Sequence, residues 1–391
     1  MNAESGADVI VVGAGIVGAA CLYFLALAGV EAVLVDRGSI AGGTSGSGEG
    51  NVLVSDKRPG PELDLAKQGV ALWRDLAARL DDFEYDAKGG MIVALDDREL
   101  LQLVERGAQL TNGGVTAHLI GPAQALALEP HLTANLAGAL YVADDAQVQP
   151  MYACRALVDA AKAAGARTCW NAPVLEIERD ADGAAAGVRT PSGRIAAKTV
   201  IVACGAWTPA LCATLGIDLP ILPRKGHIVV SEPLPKFVAH KVYEANYGDT
   251  VNSSDARLQI SSVVEQTCSG TLLLGSSREM CGFDATIDPD IVAAIARRAV
   301  RLFPRLAEVN AMRAYVGFRP FVPDHLPLVG ELQLAPGVFV NAGHEGAGIG
   351  LGPISAQFLV RHILDRQSAA DISAFDPNRF VRYGKEPLHA G

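Results

Sequence analysis

Basic charge is what this chain most conspicuously lacks. Against 43 aspartates and glutamates it carries 33 lysines and arginines, a formal charge of −10 over 391 residues. Such a surface repels phosphate backbones and anionic lipid, so nucleic-acid binding is a poor expectation. No strip of basic residues interleaved with aromatics offsets this, and aromatics make up only 6% of the chain. The seven cysteines (Cys21, Cys154, Cys169, Cys204, Cys212, Cys268, Cys281) are odd in number, scattered and never spaced Cys-x-x-Cys. Neither a disulfide framework nor a zinc site is indicated, and no metal is expected. The opening Met1 to Asp8 has no basic or apolar signal region. A reduced cytoplasm is therefore the expected address, with peripheral attachment to the inner membrane as the alternative. The 41 glycines show no Gly-X-Y period, and no solenoid repeat is present. Half the residues are apolar and 19% charged, which excludes a disordered or fibrous chain and is ample for two or three domains.

The stretch from Val9 to Val30 holds no charged residue and is long enough to suggest a membrane helix. Its glycines argue otherwise. Gly13, Gly15 and Gly18 separate a β-branched run, Val9-Ile10-Val11-Val12, from an Ala/Leu-rich run that ends at Gly29. The first reads as a strand buried on both faces, Ile16 to Ala28 as a helix, and Gly29 as its cap. A second buried strand, Ala32 to Val35, closes on Asp36. Strand, Gly-x-Gly-x-x-Gly, helix, strand and acid form a complete dinucleotide-binding unit. Gly13 permits the turn, Gly15 lets backbone approach a pyrophosphate, and Gly18 allows close helix–strand packing. Ile16 and Val17 open the helix, whose N-terminus offers N–H groups and a partial positive charge to the anion. Asp36 can accept from ribose hydroxyls. The unit alone does not separate NAD from FAD. A Gly/Ser-rich loop follows directly, Gly42-Gly43-Thr44-Ser45-Gly46-Ser47-Gly48-Glu49-Gly50-Asn51, able to track a long cofactor or to serve as a surface linker.

Further motifs run through nearly the whole chain: Gly138-Ala139-Leu140-Tyr141 to Val148-Gln149-Pro150, Val200 to Trp207, Gly317-Phe318-Arg319-Pro320 to Gly330, and Gly343-His344-Glu345-Gly346-Ala347-Gly348-Ile349. With the opening unit, their order and spacing resemble the D-amino-acid-oxidase-like flavoprotein superfamily, which includes glycine oxidase, sarcosine oxidase and D-amino-acid dehydrogenases. The resemblance implies an α/β (α+β) chain in which a discontinuous Rossmann-type FAD-binding domain is interleaved with an antiparallel-sheet substrate domain. The expected division assigns 1–85, 150–215 and 315–391 to FAD, and 86–149 and 216–314 to substrate. Coarse periodicity agrees, with helices near Leu63–Leu80, Tyr152–Ala164 and Pro289–Phe303. Strands are expected at Met91–Leu95, Val174–Arg179, Thr199–Ala203, His227–Ser231, Leu258–Val263, Leu272–Gly275 and Val338–Asn341.

The same resemblance places Arg37, Gly43, Thr44, Ser45 and Asn51 along the cofactor, with Val174, Ala203, Cys204, Gly205 and Trp207. Gly346, Gly348 and Ile349 would present backbone N–H groups to the pyrimidine end of the flavin. Some sarcosine oxidases attach flavin through a cysteine at the position of Gly317, so non-covalent FAD is expected. Arg319 is the first candidate for substrate, because a guanidinium makes two parallel bonds to a carboxylate and keeps its proton. A structural ion pair is the plainer alternative. His344 would orient substrate or merely brace its turn, and Glu49 would face the flavin or sit solvated on the loop. Tyr243, Asn246 and Tyr247 are candidates to cap the pocket.

The implied reaction is FAD-dependent dehydrogenation of a small amino or imino acid, a D-amino acid or a secondary amine such as a hydroxyproline, with hydride passing from Cα to flavin N5 to give an imine. Oxygen, a quinone or a partner protein remains open as acceptor, and a homo- or hetero-oligomer is compatible. Two rivals stand beside it: a β-type flavoprotein subunit passing electrons to partner subunits, and an NAD(P)-dependent dehydrogenase.

Overall fold

A computed structural model of the chain describes residues 6–365 and 372–380. Residues 366–371 and 381–391 of the expected third cofactor segment lie outside the described residues.

The β-branched run Val9–Val12 is the centre of a six-stranded sheet. Its order is Leu328–Glu331, Val338–Ala342, Thr199–Val202, Val9–Val12, Ala32–Val35, Arg167–Cys169. All neighbours are parallel except the antiparallel pair at the Leu328 end. Because side chains alternate across a strand, each one feeds two cores. Val9, Val11, Leu34, Ile201 and Phe339 pack against the helices Ile16–Leu27, Pro150–Ala163 and Gly348–Leu364. Ile10, Val12, Val33, Val35, Val200 and Val202 pack beneath a three-stranded antiparallel meander (Glu176–Arg179, Ala185–Thr190, Gly193–Ala196) and the segment around Leu211–Ile221. The uncharged Val9–Val30 stretch is thus strand, turn and helix. Among the described residues no helix is long and apolar enough to cross a membrane.

An eight-stranded sheet stands beside the first, ordered Ala311–Phe321, Leu222–Pro233, Thr271–Arg278, Gln259–Gln266, Lys241–Glu244, Gly90–Ala94, Gly138–Val142, Ala117–Ile120. It is antiparallel apart from the parallel pair Lys241–Glu244 with Gly90–Ala94. Helix Pro289–Leu302 begins with proline in its first turn and Asp288 capping the Asp290 N–H, then lays Ile291, Ile295, Ala299 and Leu302 on one face of this sheet. The chain enters the two sheets alternately, which is the interleaving expected.

Two details depart from the expectation. His227–Ser231 is the middle of a twelve-residue strand, Leu222–Pro233. Its partner Ala311–Phe321 was not foreseen as a strand, and it carries the chain through the expected boundary at 315 within the second sheet. Gly317 and Pro320 hide its pattern. Proline is tolerated there because this strand forms the sheet's edge.

Candidate active site

Between the two sheets lies a cavity of about 540 Å³, running from the opening glycine turn to the edge strand that carries Arg319. At one end the turn is shaped for close approach. Gly13 has φ +106°, and a Cβ there would lie 2.5 Å from the Ala203 carbonyl oxygen. Gly18 does not reach the cavity; a Cβ on it would come within 1.8 Å of the Gly13 carbonyl oxygen, so it seats helix against turn. Gly15, Ile16 and Val17 line the cavity. Ser45, on the short helical turn Thr44–Ser47, accepts a hydrogen bond at Oγ from the Ile16 N–H at 3.0 Å. The Asp36 carboxylate accepts from the Ala14 and Gly38 N–H groups, each at 2.7 Å. Arg37 lies over Trp207, 4.4 Å from the ring centroid, with Gly43 packed against the same indole. Val174, Ala203, Cys204 and Gly205 complete this end.

Midway, Thr44 Oγ1 donates to the Phe318 carbonyl at 2.6 Å, tying the Gly/Ser loop to the edge strand. A Cβ on Gly317 would sit 2.8 Å from that of Ser47, so position 317 has no room for a side chain. Asn51 lines the cavity and donates from Nδ2 to Glu49 Oε2 at 3.0 Å. Glu49 is 7% exposed, which rules out a solvated loop carboxylate. Its Oε2 lies 3.6 Å from Lys241 Nζ, while Oε1 has no hydrogen-bond partner among the described residues. Lys241 also bonds Glu265 Oε2 at 2.8 Å and the Asn51 side-chain carbonyl. Burial works against the Lys241 charge, but Glu265 and Glu49 outweigh it and raise its pKa. Lys241 and Glu265 were not foreseen; charged residues inside strands were the available signal.

At the far end Arg319 donates from Nη1 to the Ser277 carbonyl at 2.9 Å, its guanidinium lying over Gly226 and beside Gly346. Burial, with Arg278 nearby, pushes its pKa down to about 10, so it stays protonated at neutral pH. Arg278, also unforeseen, lines the cavity with its guanidinium 5.0 Å over the ring of Tyr247. Tyr247 lines the cavity too, whereas Tyr243 is turned into a buried contact with Ser55 and does not. Asn246 does not line it either.

The turn after Val338–Ala342 brings Gly346, Gly348 and Ile349 to the cavity at the N-terminus of helix Gly348–Leu364. His344 borders it as well, but its Nε2 bonds Ser355 Oγ at 2.9 Å, and Ser355 Oγ in turn donates to Asn341 Oδ1 at 3.1 Å. Burial pushes the His344 pKa down to about 3, so the ring is neutral and braces the turn. Its folded-state pKa is below its ordinary ~6.5, so this stability is complete above that pH and declines as pH falls towards 3, by up to ~1.4 kcal/mol per pH unit. A His344→Gln variant is expected to lose that slope in urea unfolding between pH 7 and 4.5; the same pH dependence in both proteins would contradict it.

The cavity fits an extended dinucleotide. At Gly13 and Gly50 a Cβ would meet backbone oxygen at 2.5 and 1.9 Å, two helix N-termini open on the cavity, and the buried Glu49 lines it with one carboxylate oxygen unpartnered among the described residues. A nucleotide cradle on a parallel sheet, joined to a cationic pocket on an antiparallel one, marks the class of oxidoreductases that take a dinucleotide cofactor. The chain belongs to the FAD dependent oxidoreductase family, whose profile it matches over residues 8–362. That membership sets aside NAD(P). It is 29% identical over 383 residues to glycine oxidase of Geobacillus kaustophilus, covering 96% of this chain and 97% of that protein. A crystal structure of glycine oxidase from the same organism superposes with a TM-score of 0.87 at 27% identity, over 97% of this chain and 100% of the other. The D-amino acid dehydrogenase of Paramagnetospirillum magneticum is 26% identical over 96% of this chain and 99% of its own. A hydrogen cyanide synthase subunit of Pseudomonas protegens is 27% identical over 96% of each.

Proposed function

We propose that this protein oxidises the C–N bond of a small amino or imino acid, of D configuration or a secondary amine, to an imine. The observation that carries the reading is Arg319: a half-buried cation whose hydrogen bond, among the described residues, is to a carbonyl, facing the same cavity as the cofactor cradle. FAD, when bound, supplies the acceptor for the hydride and its two electrons. The chain's own residues would do the rest. Arg319 grips the carboxylate and so fixes the substrate's Cα. The buried Glu49 and Lys241 hold the charge around the middle of the cavity, and the peptide N–H groups at Gly346–Ile349 offer a positive helix end. No His/Asp dyad is needed if the amine arrives unprotonated. Among the described residues the cofactor part comprises 6–85, 150–215, 322–365 and 372–380, and the substrate part 86–149 and 216–321.

FAD is held without a covalent bond, since Gly317 has neither a thiol nor room for one. Acid precipitation is expected to release yellow flavin into the supernatant; colour retained in the pellet would refute this. The function itself is tested by screening D- and L-amino acids, sarcosine and hydroxyproline isomers with an artificial dye acceptor. Turnover of at least one amine is expected, and none at all would refute the reading. One relative is by name a subunit of a synthase, so the same assay on the isolated chain also tests the subunit alternative. Activity without partners favours a self-sufficient enzyme.

A further inference from the structure

Two guanidinium groups face the substrate end of the cavity. Among the described residues their hydrogen-bond partners are all neutral. Arg319 bonds the Ser277 carbonyl, and Arg278 Nη1 reaches the hydroxyls of Thr250 at 3.1 Å, Ser276 at 3.2 Å and Ser261 at 3.5 Å. The carboxylates nearby are differently placed. Asp56 and Glu62 lie on Lys57, Glu345 on His325 and Arg224, and Glu49 on Lys241. Arg278 is only 4% exposed, so water does little to screen it. Two like charges left uncompensated in a buried pocket favour an anion between them.

The backbone shows how they come together. Strand Thr271–Arg278 pairs Val263 with Gly275 but Ile260 with Ser277, a one-residue slip. Simple alternation from Leu272 and Leu274 would send Arg278 into the core under helix Pro289–Leu302. After the slip it is Ser277 that turns to that side, where its Oγ bonds His227, and Arg278 turns to the cavity. The carbonyl holding Arg319 belongs to the residue just before Arg278, and the two cations, both lining the cavity, lie close enough for Arg278 to disfavour the Arg319 charge. The Arg278 guanidinium carbon lies 5.0 Å over the Tyr247 ring, and the hydrogen bonds described for it all run from Nη1.

We propose that Arg278 is a second carboxylate-binding residue, gripping with Arg319 the single carboxylate of the amine substrate. This rests on the amine-oxidising reading above, and it makes the pocket selective for a monocarboxylate held from two sides. The test is calorimetric binding of acetate, its neutral isostere acetamide, and malonate to the FAD-loaded protein without turnover. Wild type is expected to bind acetate more tightly than acetamide, and malonate no more tightly than acetate. Arg278→Gln is expected to weaken acetate by about tenfold or more while leaving acetamide within about twofold, with part recovered in Arg278→Lys. A merely structural role would weaken both ligands alike. Unchanged acetate affinity in Arg278→Gln, or wild-type preference for malonate by about tenfold, overturns the proposal. If Arg278→Gln does not fold, Arg278→Lys and the wild-type acetate-to-malonate ratio decide. Acetate binding lost in Arg319→Gln but kept in Arg278→Gln sinks this inference alone. Wild type binding acetate and acetamide equally sinks the carboxylate reading as a whole.

Discussion

Arg319→Lys is expected to lower kcat/KM for a carboxylate-bearing amine by about a hundredfold, with at least a tenfold rise in KM, a loss of ~2.7 kcal/mol. The guanidinium does two things at once. One N–H holds the Ser277 carbonyl at 2.9 Å, and the rest of the fork is free for the cavity. An ammonium concentrates its donors on a single atom at the end of a flexible stem, so it cannot keep both contacts in one plane. It also loses its proton more readily under the burial and neighbouring charge that already lower the Arg319 pKa to about 10. Steady-state kinetics on the best amine from the dye screen check this. An unchanged KM would remove Arg319 from the substrate site.

Gly18→Ala is expected to yield protein without bound flavin, or with FAD affinity weakened by about a hundredfold or more. The new methyl would sit 1.8 Å from the Gly13 carbonyl oxygen and 3.0 Å from its carbon, both backbone atoms of the turn beneath the helix. No flexible side chain can yield, so the helix must lift from the turn, separating its N-terminal N–H groups from the anion they are shaped to hold. Gly29 is the control: its φ of +75° is left-handed, as that of Gly13 is, but a Cβ there meets nothing within 4 Å. Gly29→Asn should keep its flavin, because asparagine tolerates that conformation. Flavin absorbance per chain after gel filtration gives the answer, and a fully yellow Gly18→Ala protein would end the argument.

The cofactor end was legible in the sequence because its parts are local. Val9–Val12, the three glycines, the helix and Asp36 lie close along the chain, and each has a distinctive residue type. Arg319, His344 and the Gly346–Ile349 turn were reached only through the resemblance, since an isolated Arg-Pro or Gly-His has no local signature. The motif alone leaves His344 between two roles, and its hydrogen bond to Ser355 favours bracing. Glu49 was equally ambiguous until the strand carrying Lys241 was folded against its loop. Tyr243, Asn246 and Tyr247 share one polar-aromatic stretch, and of the three only Tyr247 lines the cavity.

The amino-acid sequence by itself determined the nucleotide cradle, because propensity, periodicity and glycine spacing act over short stretches, while the order of motifs dispersed along the chain carried the family and, through it, the alternation between two sheets. Only the tertiary structure decided which charges gather at the cavity and behind its wall. Arg278, Lys241 and Glu265 owe their places to strand register, and the one-residue slip that turns Arg278 from core to cavity arises from pairing between chain segments. No window of sequence contains that pairing.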